Sequence, residues 1–120
     1  MANSRSSKYQ DLYIGLVRVH VLHHAAQEPV FGKGMMEELG RHGYRLGPGT
    51  MYPLLHSLEH RGWISSRTIL FAGRRRKCYT ATRAGRAALQ DAIGRVGELY
   101  MELTGDRDSP LKPGSGISAH

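Results

Sequence analysis

The strongest chemical signal in the sequence is a run of four consecutive cations, Arg74-Arg75-Arg76-Lys77. Guanidinium and ammonium groups form charge-assisted hydrogen bonds with phosphate oxygens, so such a run suits a polyanion. Earlier in the chain, polar side chains at Thr50, Tyr52, His56 and Ser57 accompany an apolar repeat of helical period. These side chains can hydrogen-bond to base edges and sugars, and the two segments together predict contact with double-stranded DNA.

Two pairs of histidines have the four-residue spacing at which imidazoles on one helix face can share a metal ion, His20 with His24 and His56 with His60. The sequence places no third ligand beside either pair. It therefore predicts no metal site and no cofactor, and metal sensing is the alternative that the pairs leave open.

Other reactive residues are few. Cys78 is the single cysteine, which excludes an intrachain disulfide and favours a reducing compartment. Its cationic neighbours would suit a redox-active thiol, but a small packed residue in a strand is the stronger interpretation. The chain has no glycine-rich phosphate loop after a strand, no nucleophile elbow and no suitably spaced pair of acids. We predict no catalytic residue and no enzyme activity.

Length and charge limit the function classes further. The 120 residues suffice for one domain, and 17 Lys and Arg against 10 Asp and Glu give a net charge of +7, which suits a polyanionic partner. The polar N-terminus does not resemble a signal peptide, and no apolar run approaches the roughly 20 residues of a membrane span. We expect a cytoplasmic protein that does not bind membranes.

Apolar spacing predicts a first helix at Tyr9–Ala26, and the residues of its stripe are Leu12, Leu16, Val19, Leu22 or His23, and Ala26. It also predicts a short second helix at Gly34–His42, with Gly43 as its left-handed cap. After a turn over residues 44–49, an apolar stripe predicts a third helix, and the residues of this stripe are Met51, Leu54, Leu55 and Leu58. Pro53 fits that helix if Thr50 is the N-cap, because the third helical position has no intrahelical partner for its backbone N–H.

Beyond the third helix, residues 63–70 and 75–80 are rich in β-branched, aromatic and arginine residues, and Phe71-Ala72-Gly73-Arg74 joins them. This pattern predicts a β-hairpin, and Thr82 then begins a final helix that ends near Thr104. The fold class is mainly α with a small β-hairpin: a winged helix-turn-helix followed by a C-terminal dimerisation helix. The predicted divisions are a disordered arm (1–8), a DNA-binding domain (9–81), the dimerisation helix (82–104) and a flexible tail (105–120).

The final helix is roughly 30 Å long, more than a three-helix domain can easily cover, so part of its apolar stripe should pack on another chain. We therefore expect a homodimer. The residues assigned to its interface lie on the first and last helices and are Leu12, Leu16, Leu89, Ile93, Val96, Leu99, Tyr100 and Leu103.

The segment Tyr44–Glu59, which reads YRLGPGTMYPLLHSLE, resembles the recognition-helix signature of PadR-like transcriptional regulators. Gly62-Trp63-Ile64, the segment Gly73–Tyr79 and the segment Thr82–Leu89 are similar to the wing and the opening of the dimerisation helix in that family. The resemblance covers roughly residues 12–103, and the single C-terminal helix is typical of the short members.

The sequence departs from the common family pattern at three places. Phe31-Gly32-Lys33-Gly34 replaces a Tyr-Gly pair followed by an acidic or polar residue. Gly47 stands where Ser is usual, and Cys78 stands where an aromatic residue is common. The change at Gly47 removes a hydroxyl from the turn that would face DNA.

The resemblance implies a winged-helix dimer that represses by occupying an inverted-repeat operator. With the third helix in the major groove and the hairpin on phosphates, the turn, the helix and the wing supply the predicted DNA contacts. These contacts are Tyr44, Pro48, Gly49, Thr50, Tyr52, Pro53, His56, Ser57, Arg74, Arg75 and Lys77.

Three alternatives stay open. The same basic wing could bind an acidic protein, which would make the chain a winged-helix interaction module. The chain could instead be a ligand-binding dimer with only non-specific affinity for DNA. A small hydrophobic or aromatic inducer is a further candidate partner, with Tyr100 as a contact, whereas Trp63 is assigned to core packing.

Overall fold

The structure is a computed structural model that describes residues 2–105. Its elements, in chain order, are α1 (Ala2–Gln27), β1 (Val30–Phe31), α2 (Gly32–Arg41), α3 (Pro48–His60), β2 (Ile64–Phe71), β3 (Arg74–Ala81) and α4 (Arg83–Thr104). This order confirms the predicted winged helix-turn-helix followed by a long helix. By its internal contacts the chain divides into two units, with the boundary between Arg86 and Ala87 inside α4.

The first helix is longer than predicted. It begins at Ala2, so the described part of the segment predicted as a disordered arm is helical. Once a helix is nucleated, each added residue gains a backbone hydrogen bond, and Ser, Asn and Arg lose well under about 1 kcal/mol each relative to Ala. The helix ends at Gln27, two residues before Pro29, which cannot continue it.

The core of the first unit is apolar and continuous across the three N-terminal helices and the sheet. The buried face of α1 is formed by Val17, Val21, Leu22 and Ala25, whereas Leu12 and Leu16 are exposed. The predicted stripe of α1 is therefore not its main buried face within one chain. In α3 the predicted stripe is confirmed, and the buried residues there are Met51, Leu54, Leu55 and Leu58.

The second helix ends as the sequence predicts. Gly43 has φ of +91°, and its N–H donates to the carbonyl of Gly40 at 3.0 Å. The N–H of Tyr44 donates to the carbonyl of Leu39 at 2.9 Å, which completes a Schellman motif. The left-handed backbone reverses the chain at once into the turn before α3.

The third helix begins earlier than predicted. Gly47, with extended backbone, is the N-cap, and Pro48 is the first helical residue. The assignment of Thr50 as the N-cap is wrong, because Pro48 has the fixed φ that favours the first position. Pro53 therefore lies inside the helix and cannot donate to the carbonyl of Gly49. Both residues are exposed, so water can satisfy that carbonyl.

The sheet has three antiparallel strands in the order β1-β3-β2. The hairpin of β2 and β3 confirms the prediction, with Phe71 paired to Arg74 around a two-residue turn at Ala72 and Gly73. Both turn residues have positive φ, 55° and 77°, as a tight turn between twisted strands requires. The two residues of β1 pair with Tyr79 and Cys78. This strand was not predicted, because two residues are too few to show a period.

The last helix is capped by Thr82, whose Oγ1 accepts the N–H of Gly85 at 3.0 Å. The start of α4 at Arg83, with Thr82 as its cap, agrees with the prediction that Thr82 begins the final helix. In the described residues, no helix is both long and apolar enough to cross a membrane. The predicted flexible tail, beyond Gly105, lies outside the described residues.

Candidate nucleic-acid interface

A groove of 580 Å³ lies between the hairpin, α3 and the start of α2, all within the first unit. Its lining residues are Phe31, Gly32, Lys33, Tyr52, His56, Arg74, Arg75, Arg76, Lys77 and Tyr79. We call this site the basic groove. Five of the eleven residues predicted to contact DNA line it: Tyr52, His56, Arg74, Arg75 and Lys77.

The hairpin supplies four of the cations. Because successive residues of a strand point to opposite faces, Arg75 and Lys77 lie on the face that also carries the buried Tyr79. On the same face of the sheet, the hydroxyl of Ser66 donates to a carboxylate oxygen of Glu59 at 2.6 Å and ties β2 to α3. The hairpin is thus fixed to α3 at its base while its cations remain exposed near the turn.

Arg76 lies on the other face and is held by aromatic rings. Its guanidinium carbon is 4.6 Å from the ring centre of Phe31 and 5.7 Å from that of Phe71. The two rings are themselves 5.5 Å apart. Such cation–π contacts orient a guanidinium without neutralising it, so the charge remains available to an anion. Arg76 belongs to the cationic run in the sequence but was not among the predicted DNA contacts.

The start of α2 completes the groove. A Cβ at Gly32 would lie 2.6 Å from the ring of Tyr52, so glycine at this position lets the ring pack on the helix start. Tyr52 still exposes 37% of its surface. Lys33, the next residue, also lines the groove and was missed as a site residue. The one signal that could have found it is the departure from the family pattern at residues 31–34.

The charges of the groove are unbalanced. Lys33, Arg74, Arg75, Arg76 and Lys77 line it, and none of its described lining residues is acidic. Uncompensated cations around a concave surface concentrate the positive potential there. The arrangement can bind a chain of phosphates, with Tyr52 and His56 beside it as hydrogen-bonding groups.

The other predicted contacts lie elsewhere. Five belong to α3 but do not line the groove: Pro48, Gly49, Thr50, Pro53 and Ser57. Tyr44 packs against other rings, with centroid distances of 5.4 Å to His20 and 6.1 Å to Tyr13. Its ring therefore helps to join the turn to α1, and its contact with DNA stays a prediction.

The residues assigned to a dimer interface differ in exposure. Leu12 and Leu16 on α1 are 69% and 41% exposed, and Leu99 and Leu103 on α4 are 50% and 75% exposed. Ile93 is 45% exposed, while Val96 and Tyr100 are intermediate. Leu89 is only 7% exposed and offers little surface to a partner. Each helix thus carries leucines that one chain does not cover.

Comparison with known proteins agrees with this description. The model of the transcriptional regulator PadR-like family matches residues 21–91. The chain is 49% identical, over 89 residues, to "Transcriptional regulator Rv3488" of Mycobacterium tuberculosis, and the match covers 74% of this chain and 83% of that protein.

Solved structures show the same fold. A PadR family transcriptional regulator from Eggerthella lenta is 26% identical, with a TM-score of 0.72 over 87% of this chain and 92% of that one. Bacillus subtilis PadR, solved in complex with operator DNA, is 22% identical, with a TM-score of 0.57 over 65% of this chain and 46% of that one.

Proposed function

The chain belongs to the PadR-like family of transcriptional regulators, and on that premise we propose that it is a homodimeric, sequence-specific repressor that binds an inverted-repeat operator in double-stranded DNA. The observation that carries this proposal is the basic groove, whose described lining contains five cations, no acid and the exposed ring of Tyr52. The family is a class of regulators rather than of enzymes.

In the proposed complex, the hairpin of β2 and β3 and the helix α3 have different roles. Arg74, Arg75 and Lys77 are exposed beside the hairpin turn, where they would bind phosphates and set the register of the protein on the duplex. The exposed face of α3 would enter the major groove and read base edges through Tyr52 and His56. Bacillus subtilis PadR, whose fold is similar, has been solved with operator DNA, which favours this mode.

Dimerisation would place two copies of α3 in successive major grooves, about 34–36 Å apart. The exposed Leu99 and Leu103 on α4, and Leu12 and Leu16 on α1, support a partner of the same kind, because isolated chains rarely leave so many leucines in water. A small hydrophobic or aromatic inducer stays a prediction, with the half-buried Tyr100 as its expected contact.

The decisive experiment compares two DNA duplexes. Purified protein is titrated against fluorescent DNA from upstream of its own gene and against a shuffled duplex of the same composition, by anisotropy at two salt concentrations. We expect the upstream duplex to bind at least about 10³-fold more tightly, because specific regulators exceed their own non-specific affinity by that factor or more.

Equal and strongly salt-sensitive binding of the two duplexes would contradict the proposal and leave a non-specific basic protein. Weak binding of both, together with tight binding of an acidic protein partner, would favour an interaction module instead.

A further inference from the structure

A second cluster of functional side chains lies in the first unit and outside the lining of the basic groove. His20 and His24 stand one turn apart on α1, and His42 is the residue that caps the end of α2. One ring nitrogen of each lies within 4.8 Å of the others. We call these three residues, with Glu38, the histidine cluster.

Glu38, on α2, lies close to two of these histidines. Its Oε2 is 3.2 Å from Nε2 of His42 and 3.7 Å from Nε2 of His24. Its other oxygen accepts a hydrogen bond from the guanidinium of Arg41. One carboxylate oxygen is thus committed to Arg41, while the other is directed at the imidazoles.

We propose that the histidine cluster binds a divalent transition-metal ion through His20, His24, His42 and Glu38, and that Zn²⁺ is the ion whose preferences it fits best. Three imidazole nitrogens and one carboxylate oxygen form a donor set that Zn²⁺ accepts in tetrahedral geometry. Ca²⁺ and Mg²⁺ prefer oxygen ligands and are excluded by this chemistry.

The distances require only a small adjustment. Zinc–nitrogen bonds of about 2.0–2.1 Å place two tetrahedral ligand atoms about 3.3 Å apart. The ligand nitrogens of the three histidines lie within 4.8 Å of one another, so each pair must close by at most about 1.5 Å. Rotation about side-chain bonds can supply a movement of this size.

Two of the three imidazoles are partly buried. Burial lowers the pKa of His20 from its usual 6.5, and the imidazoles of His42 and His24 lower it further. Burial is also the main reason that the pKa of His24 is lowered. Burial of these two rings thus favours the neutral imidazole, which is the form that coordinates a metal ion.

Glu38 remains ionised beside them. Desolvation raises the pKa of Glu38, but the hydrogen bond from His42 and the charge of Arg41 outweigh it, so that the pKa lies below 4.5. The C-terminal end of α2 adds the negative end of the helix dipole, which favours a cation at this position.

The site is open to solvent. A cavity of 220 Å³ borders two of the proposed ligands, His24 and Glu38, and His42 is exposed. In the described residues, no other group of three or more His, Cys, Asp and Glu has this geometry. His56 and His60, the second pair from the sequence, therefore lack a third ligand of this kind.

Bound Zn²⁺ would connect α1 to the end of α2. Tyr44, which begins the turn leading into α3, already packs on His20 at 5.4 Å between ring centres. The ion would thus hold the start of that turn against α1 and stabilise the folded unit by mass action.

Zinc alone tests the inference. The full chain is stripped of metal with a chelator and titrated with ZnCl₂ by calorimetry, without DNA, so that the result is independent of the proposed function. We expect one Zn²⁺ per chain and a higher melting temperature with zinc. Co²⁺ in place of Zn²⁺ should give the visible absorption of a tetrahedral, nitrogen-rich site.

Three ligand variants and one control locate the ion. His42→Gln and His20→Gln should each weaken zinc binding at least about 100-fold, and Glu38→Gln should weaken it about 10- to 100-fold. His60→Gln makes the same chemical change on the exposed end of α3 and should leave zinc affinity unchanged. Circular dichroism verifies that each variant is folded.

Three results would overturn the proposal: no zinc binding by the wild-type chain, equal binding by wild type and His42→Gln, or an equal loss in His60→Gln. If His42→Gln fails to fold, the Co²⁺ spectrum of His24→Gln decides, because loss of a nitrogen ligand changes the spectrum of a folded protein.

Discussion

The basic groove collects five cations and no described carboxylate, whereas the histidine cluster collects three imidazoles around one carboxylate. Both lie in the first unit and both use α2, the groove at its first residues and the cluster at its last. Their ligands must have opposite signs: the groove repels cations and needs a polyanion, while the cluster offers lone pairs and a negative charge to a cation.

The two regions also differ in where their specificity originates. The groove is an open surface whose cations act independently, so its affinity should rise with the number of phosphates contacted. The cluster binds tightly only if all its donor atoms meet at one point, so the loss of any one ligand should weaken zinc binding at least about tenfold. A substitution that separates DNA binding from zinc binding therefore tests both assignments at once.

The largest expected effect comes from disrupting the dimer. The double substitution Leu99→Glu and Leu103→Glu places carboxylates at positions that are 50% and 75% exposed in one chain, so each chain should still fold. Sedimentation should show a monomer, and operator affinity should fall about 10²- to 10⁴-fold because two linked half-site contacts become one. Zinc stoichiometry per chain should not change, since every proposed ligand belongs to one chain.

The control for this prediction is Gln90→Glu, which adds a carboxylate to α4 at a position that was polar and exposed before. It should leave a dimer with normal operator affinity. A Leu99→Glu, Leu103→Glu protein that remains dimeric would show that these leucines do not form the interface.

The second-largest effect on DNA affinity is expected from removing cations of the basic groove, compared with removing cations elsewhere. Arg75→Ala with Lys77→Ala removes two neighbouring charges on one face of β3. Each lost phosphate contact should reduce the salt slope by about 0.9, so a dimer should lose roughly 3 to 4 units. Operator and shuffled DNA should both bind roughly 10- to 100-fold less tightly, because phosphates carry no sequence information.

Arg83→Ala with Arg86→Ala is the matched control, since both residues are exposed and neither lines the groove. It removes the same charge and should change the salt slope by less than the groove pair does. Equal slopes for the two double variants would mean that only net charge matters.

The groove was predictable from the sequence because its parts are local. The cationic run Arg74–Lys77 lies within one strand, and the stripe of α3 repeats over a few turns, so period and composition locate both. The cluster was not predictable, because His42 reaches His20 and His24 only through the packing of α2 on α1. Lys33 was missed for the same reason, since a lone lysine at a helix start has no pattern.

Predictions from local sequence preferences were also wrong where two preferences conflicted. Thr50 is a better N-cap residue than Gly47, yet Pro48 restricts the backbone and sets the start of α3 three residues earlier. The stripe of α1 was assigned by period alone, but a helix that is apolar on several sides does not reveal which face a single chain buries. Leu12 and Leu16 lie on an exposed face, which the period could not show.

A smaller effect is expected from lowering the pH, which should weaken zinc binding at the histidine cluster but leave the charge of the basic groove unchanged. Arg and Lys keep their charge at all moderate pH values, whereas protons compete with zinc for imidazole nitrogens. The pKa values of His20 and His24 lie below 6.5, so protonation of these two rings should weaken zinc binding mainly below that pH. We expect zinc affinity to fall roughly tenfold between about pH 7.5 and about pH 5.5, measured by calorimetry. A pH-independent zinc affinity would contradict imidazole ligation.

The smallest expected effect comes from substituting Gly47, which ends the turn that Tyr44 begins. In the sequence it lies between His42 of the histidine cluster and Tyr52 of the basic groove. As the N-cap of α3 it supplies no side-chain hydrogen bond, and a Cβ added there meets nothing within 4 Å. Its φ of −93° suits any residue. Gly47→Ser should place a hydroxyl where it can accept a backbone N–H of the first turn and should also restrict the unfolded chain.

Together these effects should stabilise the protein by about 0.5–1 kcal/mol and raise its melting temperature by a few degrees. Gly47→Ala is the matched control, because it restricts the unfolded chain equally but cannot cap the helix. The serine variant should be more stable than the alanine variant by about 1 kcal/mol in chemical denaturation. Equal stability would show that the first turn of α3 gains nothing from a cap. Zinc affinity should be the same in all three proteins, since Gly47 contributes no ligand to the histidine cluster.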